Sequence, residues 1–292
     1  MSTVFAHPLL PSLISTLAAA RRVHNRLDWW HVEEWAHSDA WVTDGRSGAL
    51  LAVPLALEPT NFMSTTRAEM AWVRWCAVAD GEPASQVMRA LFADAASRLK
   101  SHGVRSLWTI ADTTDWLMPY LTDAGFARAD RMLTYEIKLD KAIHWLQHDT
   151  DATVRRLEIA DMERVIALDI ESFAEPWRYG PILWRAREQA ALLHVAELNK
   201  VIVGYACSMS DDVLKRAHVI RLCVRASHRR RGIATALLAQ IAADLLLAGA
   251  TSLTLNTQRS NRTSQTMYQQ LGFRKLIEQP VVLRCDLIEG TV

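Results

Sequence analysis

Three arginines and a glycine, Arg229, Arg230, Arg231 and Gly232, stand directly before "GIATALLAQIAADLLLAGA", an apolar run of helical period. A helix starting there leaves its first N–H groups without intrachain partners and carries roughly half a positive charge at that end, so its main chain can hold a phosphate. Guanidinium groups suit phosphate oxygens, and glycine lets the ligand approach the backbone closely. The same four residues also read as a solvated basic turn, which composition alone does not distinguish. The four cysteines, Cys76, Cys207, Cys223 and Cys285, include no CxxC pair and no histidine at ligand spacing, so the sequence points to no metal.

The elements around this junction follow from pattern. A strand over 153–159 precedes a helix near 161–172, with Asp161 as a plausible cap. "LLHVAEL" and "VIVGYACSM" are β-type runs joined by the turn Asn199–Lys200, and "AHVIRLCV" extends that sheet into the arginines. After the long helix stop at Gly249 come a strand over "TSLTLNT", a short helix over "NRTSQTMYQQL", a glycine break and a last strand. The expected class is α/β, a mixed sheet flanked by helices.

The chain also resembles itself. An offset of 147 residues lays "RWCAVAD" on "RLCVRAS", Leu91 on Leu238 and "LTDAGF" on "YQQLGF", each followed by an extended segment, "RMLTYEIKL" and "QPVVLRCDL". This order predicts two tandem domains, 1–150 and 151–292, the first with its hairpin in "AWVTDGRSGALLAV" and its long helix in "PASQVMRALFADAASRL".

R-x-x-G-x-A at Arg229, Gly232 and Ala234 resembles the acyl-CoA pyrophosphate loop of the GNAT acetyltransferase superfamily. "TVRRLEIADMERVIALDIESF", "VIRLCV" and "NRTSQTMYQQLGF" are similar, in order, to that family's opening strand and helix, its loop-preceding strand and its N-x-x-A-x-x-L-Y-x-x-x-G-F segment. Ser264 takes the place of the usual alanine. The resemblance implies a sheet splayed between its fourth and fifth strands, with acetyl-CoA as co-substrate and its pantetheine arm in the gap. Cys223 and Val224 would offer strand backbone to the arm. Arg229, Arg230, Arg231, Gly232, Ile233, Ala234 and Thr235 would wrap the pyrophosphate, and Asn261 and Tyr268 would border the thioester.

Direct acetyl transfer to an amine raises two proton problems. A lysine-type amine is neutral in about one molecule in a few thousand at pH 7, an α-amine in about one in ten, so the second barely needs a base. The leaving thiolate needs an acid, and a phenol still protonated at neutral pH makes Tyr268 the candidate, with packing beside Phe273 as its plainer reading. Within the superfamily the second half is most similar to ribosomal-protein alanine N-acetyltransferases, through "ESFAEPW", the loop and the tyrosine segment. Asn256 departs from that pattern at the catalytic position where those enzymes carry a glutamate, which leaves the base unassigned. Glu171 and Glu175 are the carboxylates in reach of the acceptor side. The implied partner is an amine-bearing acceptor, a small molecule or a peptide N-terminus.

The first half aligns Glu82, Pro83, Ala84 and Ser85 with the arginine loop, and Leu121 with Tyr268. A carboxylate repels phosphate and a proline donates no N–H, so residues 1–150 read as a degenerate GNAT-like domain, in a layout similar to mycothiol synthase, and 151–292 as the catalytic one. Nine of eleven tryptophans lie in the first half, among them Trp29, Trp30, Trp35, Trp72 and Trp75, as packing residues or as an acceptor groove.

With 33 Lys+Arg against 32 Asp+Glu, no global field draws the chain to nucleic acid or an anionic membrane, and three arginines at one helix start make no basic stripe. Pro8 and Pro11 interrupt the apolar N-terminal stretch and Arg21 and Arg22 follow it, the reverse of a secretion signal. These features point to a cytoplasmic protein without a membrane partner; oligomeric state is not legible. The competing class is a non-catalytic acyl-CoA sensor, favoured by Asn256.

Overall fold

The computed structural model describes residues 11–25, 41–44, 47–54, 69–147, 149–180, 183, 187, 192–211, 215–277 and 280–287. It divides into two compact units, Met1–Arg131 with Pro280–Val292, and Met132–Gln279.

The first unit runs α1 (Pro11–Ala18), β1 (Arg22–Asn25), β2 (Trp41–Asp44), β3 (Gly48–Pro54), β4 (Met70–Val78), α2 (Ala84–Ser101), β5 (Ser106–Ala111), α3 (Met118–Asp123) and the start of β6 (Ala127–Lys138). Its core gathers Leu50, Val73, Cys76, Met88, Leu91, Phe92 and Leu121 between sheet and helices. Trp72 and Trp75 are buried, which favours packing over a groove, and Trp29, Trp30 and Trp35 lie outside the described residues.

In the second unit a single-stretch 3-10 segment (Leu139–Gln147) leads to β7 (Thr153–Arg156), α4 (Met162–Ser172), β8 (Leu192–Leu198), β9 (Val201–Asp211), β10 (Arg216–Val224), α5 (Ile233–Leu247), β11 (Ser252–Gln258), α6 (Arg262–Gln270) and β12 (Arg274–Lys275). β7 is shorter than the pattern suggests. It gives way to a 3-10 turn at Ile159–Asp161, where Asp161 accepts from Arg155, Arg164 and the Glu158 N–H instead of capping α4. The hairpin turn at Asn199 and Lys200 is left-handed at both residues, φ 50° and 65°, as a two-residue turn between right-twisted strands requires.

The boundary expected at 150 shifts on both sides, because the two repeat-equivalent last strands change places. Residues 132–138 of β6 pair antiparallel with β11 (Leu255 opposite Tyr135) and complete the second unit's sheet. The final strand, β13 (Val281–Asp286), instead pairs with β5 and with residues 127–131 of β6 in the first unit. Both segments are alternating strands of similar length, so the pattern of each fits either sheet.

Candidate active site

In the second unit β10 and β11 run parallel and pair from Arg216 opposite Ser252 to Val219 opposite Leu255. Pairing stops there, although β10 continues to Val224 and β11 to Gln258. A register shift between Val219 and Arg221, on the β9 side, turns β10 away at that point. The seam expected between the fourth and fifth strands is therefore open.

Main-chain direction along the open edge follows from one bond. The Arg225 N–H donates to Val203 O (2.8 Å), so by the alternation of an antiparallel ladder the Cys223 main-chain groups also face β9, and those of Leu222 and Val224 face the seam. This corrects the expectation for Cys223, whose side chain is also buried and whose thiol burial pushes up to about 11. The main chain of Leu222 faces the seam instead. The signal was the strand alternation, whose phase only the pairing with β9 fixes. The Val224 carbonyl accepts from Arg229 Nε (3.2 Å).

At the far end of β10, Gly232 is the N-cap of α5 in the left-handed region (φ 73°), with no side chain capping the helix. A Cβ there would meet Asp149 O at 2.8 Å, so the position demands glycine in both conformation and space. Ile233 and Thr235 are buried along the first turn, Ala234 is half-buried, and Arg229, Arg230 and Arg231 are exposed. Arg231 forms an ion pair with Asp151. Gly204 brings the helix start close to the sheet: a Cβ there would meet Cys223 O at 2.9 Å, and Ile233 and Leu237 at 3.3 Å. The free helix start, the guanidinium groups and the open seam together fit a diphosphate followed by an extended amide-bearing arm.

Tyr268, on α6, is buried against Tyr135 and Phe273, each ring centroid 5.7 Å away. Burial pushes its phenol up to about 12, with a Ser264 hydrogen bond opposing, so it remains a proton donor at neutral pH. The Asn261 side chain caps α6, its Oδ1 accepting from the Ser264 N–H (3.2 Å). That is a structural use of the residue expected at the thioester. Glu171 pairs with Arg225 (2.7 Å) and Glu175 with Arg178 (3.5 Å), so both acceptor-side carboxylates are engaged in ion pairs. Asn256 is exposed on β11, the first residue past the last paired one.

Between α4, β9 and β10 lies a network that sequence reasoning passed over. Asp169, fully buried, accepts from the Tyr205 hydroxyl (2.5 Å), from Arg221 Nη2 (2.6 Å) and from the N–H groups of Tyr179 and Gly180. The Arg221 guanidinium lies over Phe173 and Tyr179, 3.6 and 4.1 Å from their ring centroids. One buried ion pair thus ties the segment after α4 to β9 and β10.

The first unit has the same seam, and it is filled. β4 and β5 pair only from Met70 opposite Ser106 to Trp72 opposite Trp108. Beyond that point β3 occupies one edge of β4, and β1 occupies the other, with Arg22 opposite Val78 through Asn25 opposite Trp75. His24 of β1 bonds to Asp115 (Nδ1 to Oδ2, 2.7 Å), just past β5, and Thr109 Oγ1 of β5 donates to Val73 O. The connection from β4 to α2 spans 79–83, against 225–232 in the second unit, and the helix starts behind Pro83.

Residues 152–273 match the acetyltransferase (GNAT) family. The matched stretch runs from β7 past the end of α6 in the second unit. The N-alpha-acetyltransferase of Sulfurisphaera tokodaii is 26% identical to the chain over 134 residues, 42% of this chain and 80% of that protein. The [ribosomal protein bS18]-alanine N-acetyltransferase of Haemophilus influenzae is 24% identical over 123 residues, 42% of this chain and 82% of that protein. Across both units the fold is similar to a tandem GNAT protein from the clavulanic acid biosynthesis pathway, with TM-score 0.58 at 14% identity over 97% of this chain and 96% of that one. Among the described residues no helix is long and apolar enough to cross a membrane.

Proposed function

We propose that the GNAT domain transfers an acetyl group from acetyl-CoA directly to the amine of a small molecule or a protein N-terminus, and that the first unit keeps the fold without the chemistry. The observation that carries this reading is the contrast between the seams: open beside a left-handed glycine at a helix start in one unit, occupied by β1 in the other. Acetyl-CoA supplies the activated acyl group. Leu222 and Val224 hold its arm through main-chain groups, Arg229 to Thr235 hold its diphosphate, and Tyr268 holds the proton for the departing sulfur. The N-alpha-acetylating relatives favour an α-amine acceptor, which needs the least help in losing its proton. Free cysteines, three of them buried, fit a reducing cytoplasm.

Calorimetry with acetyl-CoA and a thiol-release assay over α-amino peptides, polyamines and small amino compounds test the reading together. One acetyl-CoA bound per chain, with amine-dependent thiol release, is expected. Binding without release for every acceptor class would make the protein a sensor. Gly232→Ala places a Cβ in the left-handed region against Asp149 O, and at about 1–2 kcal/mol for that conformation should weaken acetyl-CoA binding roughly tenfold.

A further inference from the structure

Strand alternation separates the seam into two faces. Ala217, Val219, Leu253 and Leu255 point into the core that holds α5 and Tyr268. Their neighbours His218, Thr254 and Asn256 therefore share the opposite face, on both sides of the point where β10 and β11 part.

Proton accounting fixes the His218 ring. The Thr254 hydroxyl donates its one proton to Ala217 O (3.1 Å). His218 Nδ1 lies 2.8 Å from the same oxygen, so the bond between them requires Nδ1 to be the donor. Nε2 then carries a lone pair, and it faces the Asn256 amide at 3.5 Å, at the outer limit of hydrogen bonding. Burial lowers the ring to about 4, which keeps it neutral at neutral pH and makes it a weak base, so it takes a proton only from a nitrogen made acidic by bonding to the acetyl carbon. Of the charged groups on this face, Glu136 stands on β6 opposite Thr254 and pairs with Arg274 (3.4 Å); from β9 the residue opposite His218 is Met209.

We infer that His218 Nε2 accepts the proton of the attacking amine, on the face of the seam opposite Tyr268. The inference rests on the proposed acetyl transfer. As the amine nitrogen bonds to the acetyl carbonyl carbon, one N–H proton passes to Nε2. The C–S bond breaks with its electron pair on sulfur, and the Tyr268 hydroxyl proton goes to that sulfur. Water then takes the proton from the imidazolium and restores the phenol, leaving an acetamide and a free thiol. Thr254 holds the ring in the tautomer that presents Nε2, and the Asn256 amide at 3.5 Å is only a weak donor to that lone pair.

The test uses the full chain, His218→Ala and His218→Gln. In 15N-histidine-labelled wild type without ligand, the His218 signals should show an Nδ1–H, unprotonated-Nε2 ring at pH 7; an Nε2–H ring overturns the assignment. With acetyl-CoA and a mixture of free α-amino hexapeptides, both variants should lose about 10²-fold in kcat while calorimetric acetyl-CoA affinity stays within about twofold. Added imidazole should restore part of the His218→Ala rate, which a merely structural residue would not allow. Variants within twofold of wild-type kcat, or variants that lose acetyl-CoA affinity in step with rate, overturn the role. Wild type that releases no thiol with any amine overturns the proposed transfer itself, and this inference with it.

Discussion

In the proposed transfer, Tyr268 and His218 divide the proton work by burial and tautomer. Tyr268 sits in the apolar core with its phenol raised to about 12, so it is protonated at neutral pH and has a proton to offer the departing sulfur. Tyr268→Phe keeps the ring packing against Tyr135 and Phe273 and removes only the hydroxyl. It should lower kcat at saturating acetyl-CoA by about 10²-fold with the melting temperature nearly unchanged, read by thiol release and thermal unfolding. Unchanged turnover would return Tyr268 to a packing role. Asp169 and Arg221 act one step back: they fix the segment that carries Phe173 and Tyr179.

At the scale of elements, a strand of four residues separates the two units chemically. β1 pairs along the stretch of β4, Trp75 to Val78, that corresponds by the 147-residue offset to 222–225, the end of the open edge in the second unit and the residue after it. A main-chain ladder already satisfied there leaves nothing for an amide-bearing ligand to pair with. The buried His24–Asp115 bond ties β1 to the end of β5. Asp115→Ala strands a buried imidazole and should cost about 1–3 kcal/mol in denaturant unfolding, while acetyl-CoA affinity, which the proposed function assigns to the other unit, should stay at its wild-type value. A parallel loss of affinity would argue against one active seam.

For the whole molecule, the exchange of β6 and β13 decides how the chain can be cut. Residues 132–279 contain every strand of the second unit's sheet, whereas 151–292 lack the strand beside β11 and carry β13 without the partners it has in the intact chain. The fragment 132–279 should unfold cooperatively and bind acetyl-CoA with near-native affinity; 151–292 should aggregate, because it exposes an unpaired edge at β11. Circular dichroism and calorimetry on the two fragments read this directly, and the opposite ranking would return the boundary to 150.

Much of the second unit was legible from local pattern. The Asn199–Lys200 turn, the helical period after Gly232 and the capped helix at Asn261 are set by neighbours in sequence, and each falls within a few residues of its expected place. The repeat likewise pointed to two units, and Glu82–Pro83 stand where the second has Arg229–Arg230. Other features are relations between distant strands, to which periodicity is blind. Whether Cys223 or its neighbours face the seam depends on the bond from Arg225 to Val203. His218 gains a defined tautomer only because Thr254 lies beside it and spends its proton on Ala217. An alternating segment such as "RMLTYEIKL" satisfies either sheet, so only closure of the chain in three dimensions determined which one it completes. The sequence by itself determined the chemistry available at each position; tertiary pairing decided which edge stays open to use it, because a backbone edge is free only when no other strand has reached it first.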